Sequence, residues 1–205
     1  MNRITVGIIG AGSHTRSLLN LIDKVIYDIC GIFDNSWTSN SSEIICEIPL
    51  KGKISDIPEC IKLILSIGDN QLRERYQQIF GERLIINNLI HKNALVENGV
   101  EIGKSNQIFA NCYINTYAKI GNFNILNTGS IIEHETQIGS FNHISVGSLL
   151  CGRVTVGNKC FIGAGAVVID KIKICDNVTL GANTVVIRDI IKPGVYVGNP
   201  AKQIK

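Results

Sequence analysis

Residues 120–144 read IGNFNILNTGSIIEHETQIGSFNHI, with an aliphatic side chain at every sixth position. A strict period of six is neither the 3.6 of an α-helix nor the 2 of a half-buried strand. It is typical of a β-helix built from hexapeptides, in which each unit makes one short strand and one turn. The same spacing extends without a slip over seventeen positions, which are Ile90, Val96, Ile102, Ile108, Ile114, Ile120, Leu126, Ile132, Ile138, Ile144, Leu150, Val156, Ile162, Val168, Ile174, Leu180 and Val186.

Glycines add a longer period to this region. Gly103, Gly121, Gly139 and Gly157 are spaced by 18 residues, the length of three hexapeptides. Because three units close one triangular coil, these glycines are expected to stack about 4.8 Å apart at a corner that has no room for a Cβ. The repeat predicts roughly five to six coils, and a tail at 195–202 that leaves the pattern and caps the last coil.

The first part of the chain alternates strands and helices. Strands are predicted at 4–9, 28–33, 63–67 and 84–86, helices at 15–23 and 71–80, and a polar loop at 36–42. Such alternation indicates a parallel α/β sheet. We therefore predict two domains, a Rossmann-like α/β half-domain over residues 1–88 and an all-β parallel β-helix over residues 89–205.

Composition excludes several classes of protein. The chain of 205 residues is 45% hydrophobic and 18% charged, which argues against intrinsic disorder. Its net charge is only +3 and no Lys/Arg cluster concentrates it, so we expect no nucleic-acid partner. No apolar run approaches the ~18–20 residues of a membrane span, so we expect no membrane partner.

The sequence of the N-terminus and the pattern of cysteines indicate the cellular compartment of the protein. The chain enters a strand pattern directly, without the features of a signal peptide. Its seven cysteines form no C-x-x-C pair and no metal-ligand spacing. Reduced thiols in a cytoplasmic protein are the expected result.

Four sequence blocks resemble the sugar-nucleotide acetyltransferases of the bacterial PglD/NeuD type, and the resemblance covers essentially the whole chain. They are GAGSH at 10–14, SIGDN at 66–70, NLIHKNA at 88–94, and the more specific ILNTGSIIEHE at 125–135 with FNHISVG at 141–147. The closing GNPAK at 198–202 is shared more widely among hexapeptide acyltransferases.

The resemblance implies an activity and its partners. It implies a left-handed β-helix, acetyl-CoA as co-substrate, and an acceptor that is the amino group of a nucleotide-linked 4-amino-deoxy sugar. The exposed faces of such a β-helix are commonly buried by trimerisation, so we expect a homotrimer. The product would enter the synthesis of a bacterial surface glycan, such as O-antigen, lipopolysaccharide or glycosylated protein.

His134 is the candidate general base. Acetyl transfer needs a group that removes a proton from the nucleophile, and imidazole titrates near neutral pH. Glu133 and Glu135 flank it, and either carboxylate could hold the ring; spacing alone leaves both open. The resemblance favours Glu135, which follows the matching histidine in the family. A surface histidine in a charged turn is the alternative.

By resemblance, His143 lies against acetyl-CoA near the thioester. It is nine residues from His134, half of an 18-residue coil, so within one subunit the two are expected on opposite sides, on the order of 15 Å apart. They can cooperate only across a subunit interface. This spacing predicts active sites between subunits and an inactive monomer.

The resemblance implies a track of small residues for coenzyme A, with contacts at Gly152, Ala164 and Ala182. Gly152 stacks one coil above His134, where a missing side chain would leave room for the pantetheine arm. Asn127 matches a family position near the acceptor amine. A turn or stacking asparagine is its other interpretation.

The Gly10–Gly12 turn follows a strand and opens a helix, a place where backbone amides hold phosphate. Thr15 replaces the third glycine of the dinucleotide fingerprint, and fewer than 90 residues make half of a dinucleotide fold, so a mononucleotide fits better than NAD. The resemblance assigns substrate contacts to Gly12, Ser13, His14, Asp34, Asn35 and Gly68.

Other chemistries are less well supported by the residues. No cysteine is paired with a histidine in a nucleophile motif, and the four histidines His14, His91, His134 and His143 form no ligand cluster, so no metal is expected. Three alternative functions remain. They are O-acetylation of sialic acid or a related sugar, non-catalytic binding of a sugar nucleotide, and an NAD-dependent activity.

Overall fold

The computed structural model describes residues 3–39 and 43–205. The chain forms two compact units, Met1–Ile86 and Asn87–Lys205. This boundary lies within two residues of the predicted one. Residues 40–42 of the predicted polar loop lie outside the described residues. No helix in the described part of the chain is long and apolar enough to cross a membrane.

The first unit is an α/β sheet, as predicted. Its strands are β1 (Ile4–Ile9), β2 (Tyr27–Phe33), β3 (Ile44–Ile45), β4 (Ile48–Gly52) and β5 (Lys62–Leu65), and its helices are α1 (Ser13–Leu18) and α2 (Asn70–Phe80). The strand order is β3-β4-β2-β1-β5. All pairs are parallel except β3–β4. Strand β1 pairs with β2 on one side and β5 on the other, and its last four residues are buried.

Two sequence predictions for this unit were wrong, and one hairpin was missed. The β3–β4 hairpin was missed because its turn uses Cys46 and Glu47 at positive φ, where no glycine signals it. The predicted strand at 84–86 is a single bridge from Leu84 to Leu63. The helix predicted at 15–23 ends at Leu18 and tightens into the 3₁₀ turn Leu19–Leu21, a common way for a helix to end.

The second unit repeats short strands every six residues. They are β6 (Leu89–Ile90), β7 (Leu95–Val96), β8 (Glu101–Ile102), β9 (Gln107–Ile108), β10 (Tyr113–Ile114), β11 (Lys119–Ile120), β12 (Ile125–Leu126), β13 (Ile131–Ile132), β14 (Gln137–Ile138), β15 (His143–Ile144), β16 (Leu149–Leu150), β17 (Thr155–Val156), β18 (Phe161–Ile162), β19 (Val167–Val168), β20 (Lys173–Ile174), β21 (Val178–Leu180), β22 (Val185–Val186), β23 (Gly194–Val197) and β24 (Lys202–Gln203).

Each strand pairs in parallel with the equivalent strand of the next coil, and this pairing builds three sheets around one core. We name them the apolar sheet (β7, β10, β13, β16, β19, β22), the polar sheet (β8, β11, β14, β17, β20) and the histidine sheet (β6, β9, β12, β15, β18, β21, with β23 and β24). In the tail, β24 pairs antiparallel with β23, and Tyr196 and Ala201 pack against the core. The predicted β-helix is therefore confirmed.

The residues at every sixth position form the core. From Ile108 to Val186 each one is buried. Ile90 and Val96 are 42% and 37% exposed, because they belong to the first coil, which has no preceding coil to cover it. The glycine column is also confirmed, since a Cβ on Gly121 would lie 2.6 Å from the carbonyl oxygen of Gly139.

An asparagine ladder, buried at three of its four positions, fastens the coils at the glycine corner, and no sequence motif predicted it. Its members, one in each successive coil, are Asn88, Asn106, Asn124 and Asn142. The side-chain oxygen of Asn124 accepts from the backbone N–H of Asn142 at 2.8 Å, and its amide donates to the Gly139 carbonyl at 2.9 Å. Each amide thus satisfies backbone groups that burial would otherwise leave unpaired.

We predict that Asn124→Ala destabilises the β-helix by about 2–4 kcal/mol, because it leaves the N–H of Asn142 and the carbonyl of Gly139 without these partners. Urea denaturation followed by circular dichroism measures this loss. The matched control is Gln137→Ala on the exposed side of the polar sheet, which should change stability by less than about 0.5 kcal/mol. Equal stability of the two variants would contradict the ladder's role.

Candidate functional site

His134 lies in a turn rather than in a strand. The turn at 133–135 joins β13 to β14, and we call the column of turns stacked on it the His134 corner. The Nδ1 atom of His134 lies 3.0 Å from Oε2 of Glu135. Glu133 instead accepts a hydrogen bond of 2.6 Å from Nδ2 of Asn115. Of the two carboxylates that the sequence left open, Glu135 is therefore the one that contacts the imidazole.

The free edge of the imidazole points toward Gly152. A Cβ placed on Gly152 would lie 2.5 Å from Nε2 of His134, so the missing side chain makes room for the ring itself. The same point lies 3.2 Å from Oδ1 of Asp170. The His134 side chain is 45% exposed, which leaves it accessible to a substrate.

His143 lies on another side of the coil. It begins β15 in the histidine sheet, whereas His134 follows the apolar sheet. Its Nε2 atom is 3.3 Å from Nδ2 of Asn127, and its ring meets the edge of Phe161 with centroids 5.1 Å apart. The structure thus brings Asn127 and His143 together. Phe161, which pairs with His143 from the next coil, was missed by the sequence analysis.

The small residues of the predicted coenzyme track divide between two corners. Ala164 and Ala182 lie in exposed turns of successive coils, and the backbone N–H of Asn183 donates to the Ala164 carbonyl at 2.8 Å. These turns stack above Asn127, so we call this column the Asn127 corner. Gly152 belongs to the His134 corner. The apolar sheet lies between the two corners along the chain.

In the first unit, the predicted substrate residues gather at one edge of the sheet. Gly12 precedes α1, which begins with Ser13 and His14; Asp34 and Asn35 follow β2, and Gly68 follows β5. Because β2, β1 and β5 are adjacent and parallel, their carboxyl ends meet at one edge. This is the edge where open α/β sheets bind ligands.

Asp34 ties two of these loops together. One of its oxygens accepts the backbone N–H of Ala11 at 2.8 Å, and the other accepts the N–H and hydroxyl of Ser36 at 2.8 and 2.7 Å. Burial opposes ionisation, but these hydrogen bonds outweigh it and lower the pKa of Asp34. The carboxylate therefore positions the glycine turn.

Thr15 occupies the place of the third fingerprint glycine and is fully buried. Its hydroxyl donates to the Gly10 carbonyl at 2.8 Å and accepts from Ser66 Oγ at 2.8 Å. These bonds link the turn after β1 to the loop after β5. A glycine at this position, as in the dinucleotide fingerprint, would make neither bond.

A buried arginine supports the Gly68 loop, and no motif predicted it. Arg73 on α2 is 1% exposed and donates to the carbonyls of Ile67 and Gly68 at 3.0 and 3.2 Å. It also donates to Oδ1 of Asn70 at 2.7 Å. Burial lowers the pKa of Arg73 to about 9, opposed by Asp69, so the guanidinium remains charged at neutral pH.

The two buried cysteines, Cys112 and Cys160, do not suit nucleophilic catalysis. All seven are free. Burial raises the pKa of Cys112 and of Cys160 to about 11, although a hydrogen bond from Ser130 opposes it at Cys112, so neither forms a thiolate at neutral pH. Among the residues that the structure describes, no group of three or more His, Cys, Asp or Glu side chains is arranged to hold a metal ion.

Known proteins match both units. Residues 5–80 match the PglD N-terminal domain, and residues 153–188 match the bacterial transferase hexapeptide family. One similar structure is a histidine-to-asparagine mutant of perosamine N-acetyltransferase from Caulobacter crescentus, in complex with CoA and GDP-perosamine. Its TM-score is 0.90 at 29% identity, and the match covers 98% of this chain and 97% of that one. The acetyltransferase domain of PglB from Neisseria gonorrhoeae has a TM-score of 0.88 at 26% identity, covering 99% of this chain and all of that one.

A sequence relative is uncharacterized protein L142 of Acanthamoeba polyphaga mimivirus, 34% identical over 108 residues. Those residues are 50% of this chain and 21% of the viral protein, so the chain spans about a fifth of that relative's length. The fold and these matches define a hexapeptide-repeat acetyltransferase with a left-handed β-helix. More particularly, the chain is similar to acetyl-CoA-dependent sugar-nucleotide acetyltransferases of the PglD/NeuD type, as its motifs indicated.

We predict that Gly152→Ala lowers acetyl transfer at least tenfold while leaving the melting temperature within about 2 °C of wild type. The added methyl would overlap Nε2 of His134, and a side-chain ring can rotate away without disturbing the backbone. Thiol release and differential scanning calorimetry measure the two quantities. Full activity in the variant would contradict the placement of the ring.

Proposed function

We propose that the protein transfers the acetyl group of acetyl-CoA to the amino group of a nucleotide-linked 4-amino-deoxy sugar. The observation that carries this proposal is the His134–Glu135 pair, whose hydrogen bond at Nδ1 leaves Nε2 free on an exposed turn. The likeness to an enzyme solved with CoA and GDP-perosamine supports the substrate class.

In the proposed reaction, His134 acts as the general base. Its Nε2 takes a proton from the acceptor nitrogen while that nitrogen attacks the thioester carbonyl. The new C–N bond forms, the C–S bond breaks, and the proton passes from the imidazolium to the departing thiolate. Glu135 stabilises the imidazolium through Nδ1, in the way that a carboxylate orients the base of a catalytic triad.

His143 and Asn127 serve the other reactant in this proposal. Their 3.3 Å contact fixes the His143 ring at the Asn127 corner, below the exposed turns of Ala164 and Ala182. A coenzyme A arm that follows these small residues would bring its thioester toward His143. Backbone amides near His143 would then stabilise the oxyanion.

The first unit binds the nucleotide in this proposal. The turn at Gly12, Ser13 and His14 opens a helix, where backbone N–H groups favour phosphate, and Asn35 and Gly68 flank it at the same sheet edge. Asp34 already accepts hydrogen bonds at both oxygens. A mononucleotide held by backbone groups fits this edge better than NAD.

The side chains on the outside of the β-helix favour assembly through one face. The apolar sheet presents Leu95, Tyr113, Ile131, Leu149, Val167 and Val185, whereas the polar sheet presents Glu101, Lys119, Gln137, Thr155 and Lys173. A continuous apolar stripe of this kind marks an interface. We infer that three copies pack their apolar sheets around a threefold axis.

This assembly explains how two distant histidines can form one site. The apolar sheet runs between the Asn127 corner and the His134 corner. In a closed ring of three subunits, the His134 corner of one subunit meets the Asn127 corner of the next. That second corner carries the His143 of its own subunit. Each trimer would then hold three sites, and a separated subunit would hold none.

We predict that His134→Ala and His143→Ala each lower acetyl transfer, the former by at least about 100-fold. Random reassembly of the two inactive variants at equal amounts should recover about a quarter of the wild-type sites, because each mixed trimer holds one site with both histidines. Coenzyme A release after refolding the mixture measures this recovery. Two variants that stay inactive when mixed, although they share trimers, would place the site within one subunit.

We predict that Ile131→Asp dissociates the trimer and abolishes activity, since it places a charge in the apolar stripe. Light scattering coupled to size-exclusion chromatography measures the mass. Gln137→Asp is the matched control, because it adds the same charge at the equivalent position of the next hexapeptide, on the exposed polar sheet. An Ile131→Asp protein that keeps the wild-type mass would rule out this face as the interface.

The proposed reactants also suggest a setting. Acetyl-CoA and nucleotide sugars are cytoplasmic metabolites, so we propose that the enzyme works in the bacterial cytoplasm. The N-acetylated product would then serve a glycosyltransferase that builds a surface glycan.

A further inference from the structure

Asp170 belongs to none of the sequence motifs, yet it lies at the reactive edge of His134. His134, Gly152 and Asp170 occupy equivalent positions of three successive coils. Gly152 contributes no side chain, and a Cβ placed there would lie 2.5 Å from Nε2 of His134 and 3.2 Å from Oδ1 of Asp170. The base and this carboxylate therefore converge on the same space.

The imidazole has its two nitrogens in different surroundings. Nδ1 is held by Glu135 at 3.0 Å. Nε2 is the nitrogen that an acceptor can approach, and it faces the space above Gly152. A substrate group that reaches Nε2 must therefore also come close to the carboxylate of Asp170.

The partners of Asp170 hold it weakly. Arg153 Nη2 lies 3.4 Å from each of its oxygens, and Lys171 Nζ lies 3.4 Å from Oδ2. Charge-assisted hydrogen bonds are usually about 2.7–2.9 Å long, and exposed ion pairs contribute little. The Asp170 side chain is 44% exposed, so an incoming cation can compete for it.

We propose that Asp170 selects the protonated amine of the acceptor and presents it to His134. This inference rests on the proposed function and adds a specificity-determining residue to it. Amines with pKa values near 8 are largely ammonium ions at neutral pH, whereas a hydroxyl acceptor is uncharged. A carboxylate beside Nε2 therefore favours N-acetylation over O-acetylation.

The proton count of the reaction is consistent with this role. The ammonium gives one proton to Nε2 of His134, which passes it to solvent, and so becomes the free amine that attacks the thioester. The nitrogen then gives its second proton to Nε2 of His134 as the C–N bond forms and the C–S bond breaks. That proton ends on the thiol of coenzyme A.

The test compares Asp170→Asn with wild type on paired ligands. Calorimetry measures the binding of GDP-, dTDP- and UDP-linked 4-amino-6-deoxyhexoses and of their 4-hydroxy counterparts, and thiol release measures turnover. We expect the variant to bind the amino ligand about five- to tenfold more weakly, to bind the hydroxy ligand with unchanged affinity, and to keep the KM for acetyl-CoA.

Two further variants make the result specific. Lys171→Gln removes a cation that competes for Asp170, and should strengthen amine binding. Glu101→Gln removes another exposed carboxylate that is paired with a lysine, on the polar sheet, and should change nothing. Because Lys171→Gln acts in the opposite direction, it tests the proposal even where Asp170→Asn fails to fold.

The outcomes separate this inference from the proposed function. Suppose that wild type turns over an amino ligand and that Asp170→Asn keeps the same preference for the amino over the hydroxy ligand. That result would overturn the role of Asp170 and leave the proposed acetyl transfer intact. Equally weakened binding of the amino and hydroxy ligands by the variant would also overturn this role, because Asp170 would then be a merely structural residue. Failure of wild type to acetylate any amino ligand would overturn both.

Discussion

The stacking of equivalent residues in successive coils is the constraint on which this structure depends. Aliphatic side chains at every sixth position fill the core, and they fix the register so firmly that these residues lie directly above one another. The asparagine ladder reinforces this register from within, because each amide bonds the backbone of the next coil. A slip of one residue would bury polar groups and expose the core.

This register determines which side chains lie close together at the candidate site. It places the Nε2 edge of His134 over a glycine and opposite Asp170, and it places His143 beside Asn127 on another side of the coil. In the second unit, the side chains to which the proposal gives a role project from turns or from the outward position of a two-residue strand. Substitutions at these outward positions cost the core little, so one scaffold can carry different acceptor preferences. In the proposed trimer, the apolar sheet between the two corners would allow neighbouring chains to complete the site.

Much of this was readable from the sequence, for identifiable reasons. The period of six and the glycine column gave the β-helix, because one strict spacing governs the whole unit. The resemblance supplied His134, His143 and the glycine turn. The β3–β4 hairpin was missed because Cys46 and Glu47 carry no turn signal, and α1 ends earlier than its apolar residues suggested. Glu135 could not be chosen over Glu133 without the turn geometry. Arg73 and Asp170 lie outside every motif, and only three-dimensional contacts reveal them.

We propose above all that this β-helix moves an acetyl group to a sugar amine. The most direct measurement is thiol release from acetyl-CoA by the wild-type protein across a panel of nucleotide-linked 4-amino sugars, with mass spectrometry of the sugar product. We expect thiol release that depends on both substrates, and a product that carries one additional acetyl group on nitrogen. Tight binding of a sugar nucleotide with no thiol release, or acetylation of hydroxyl acceptors alone, would contradict it.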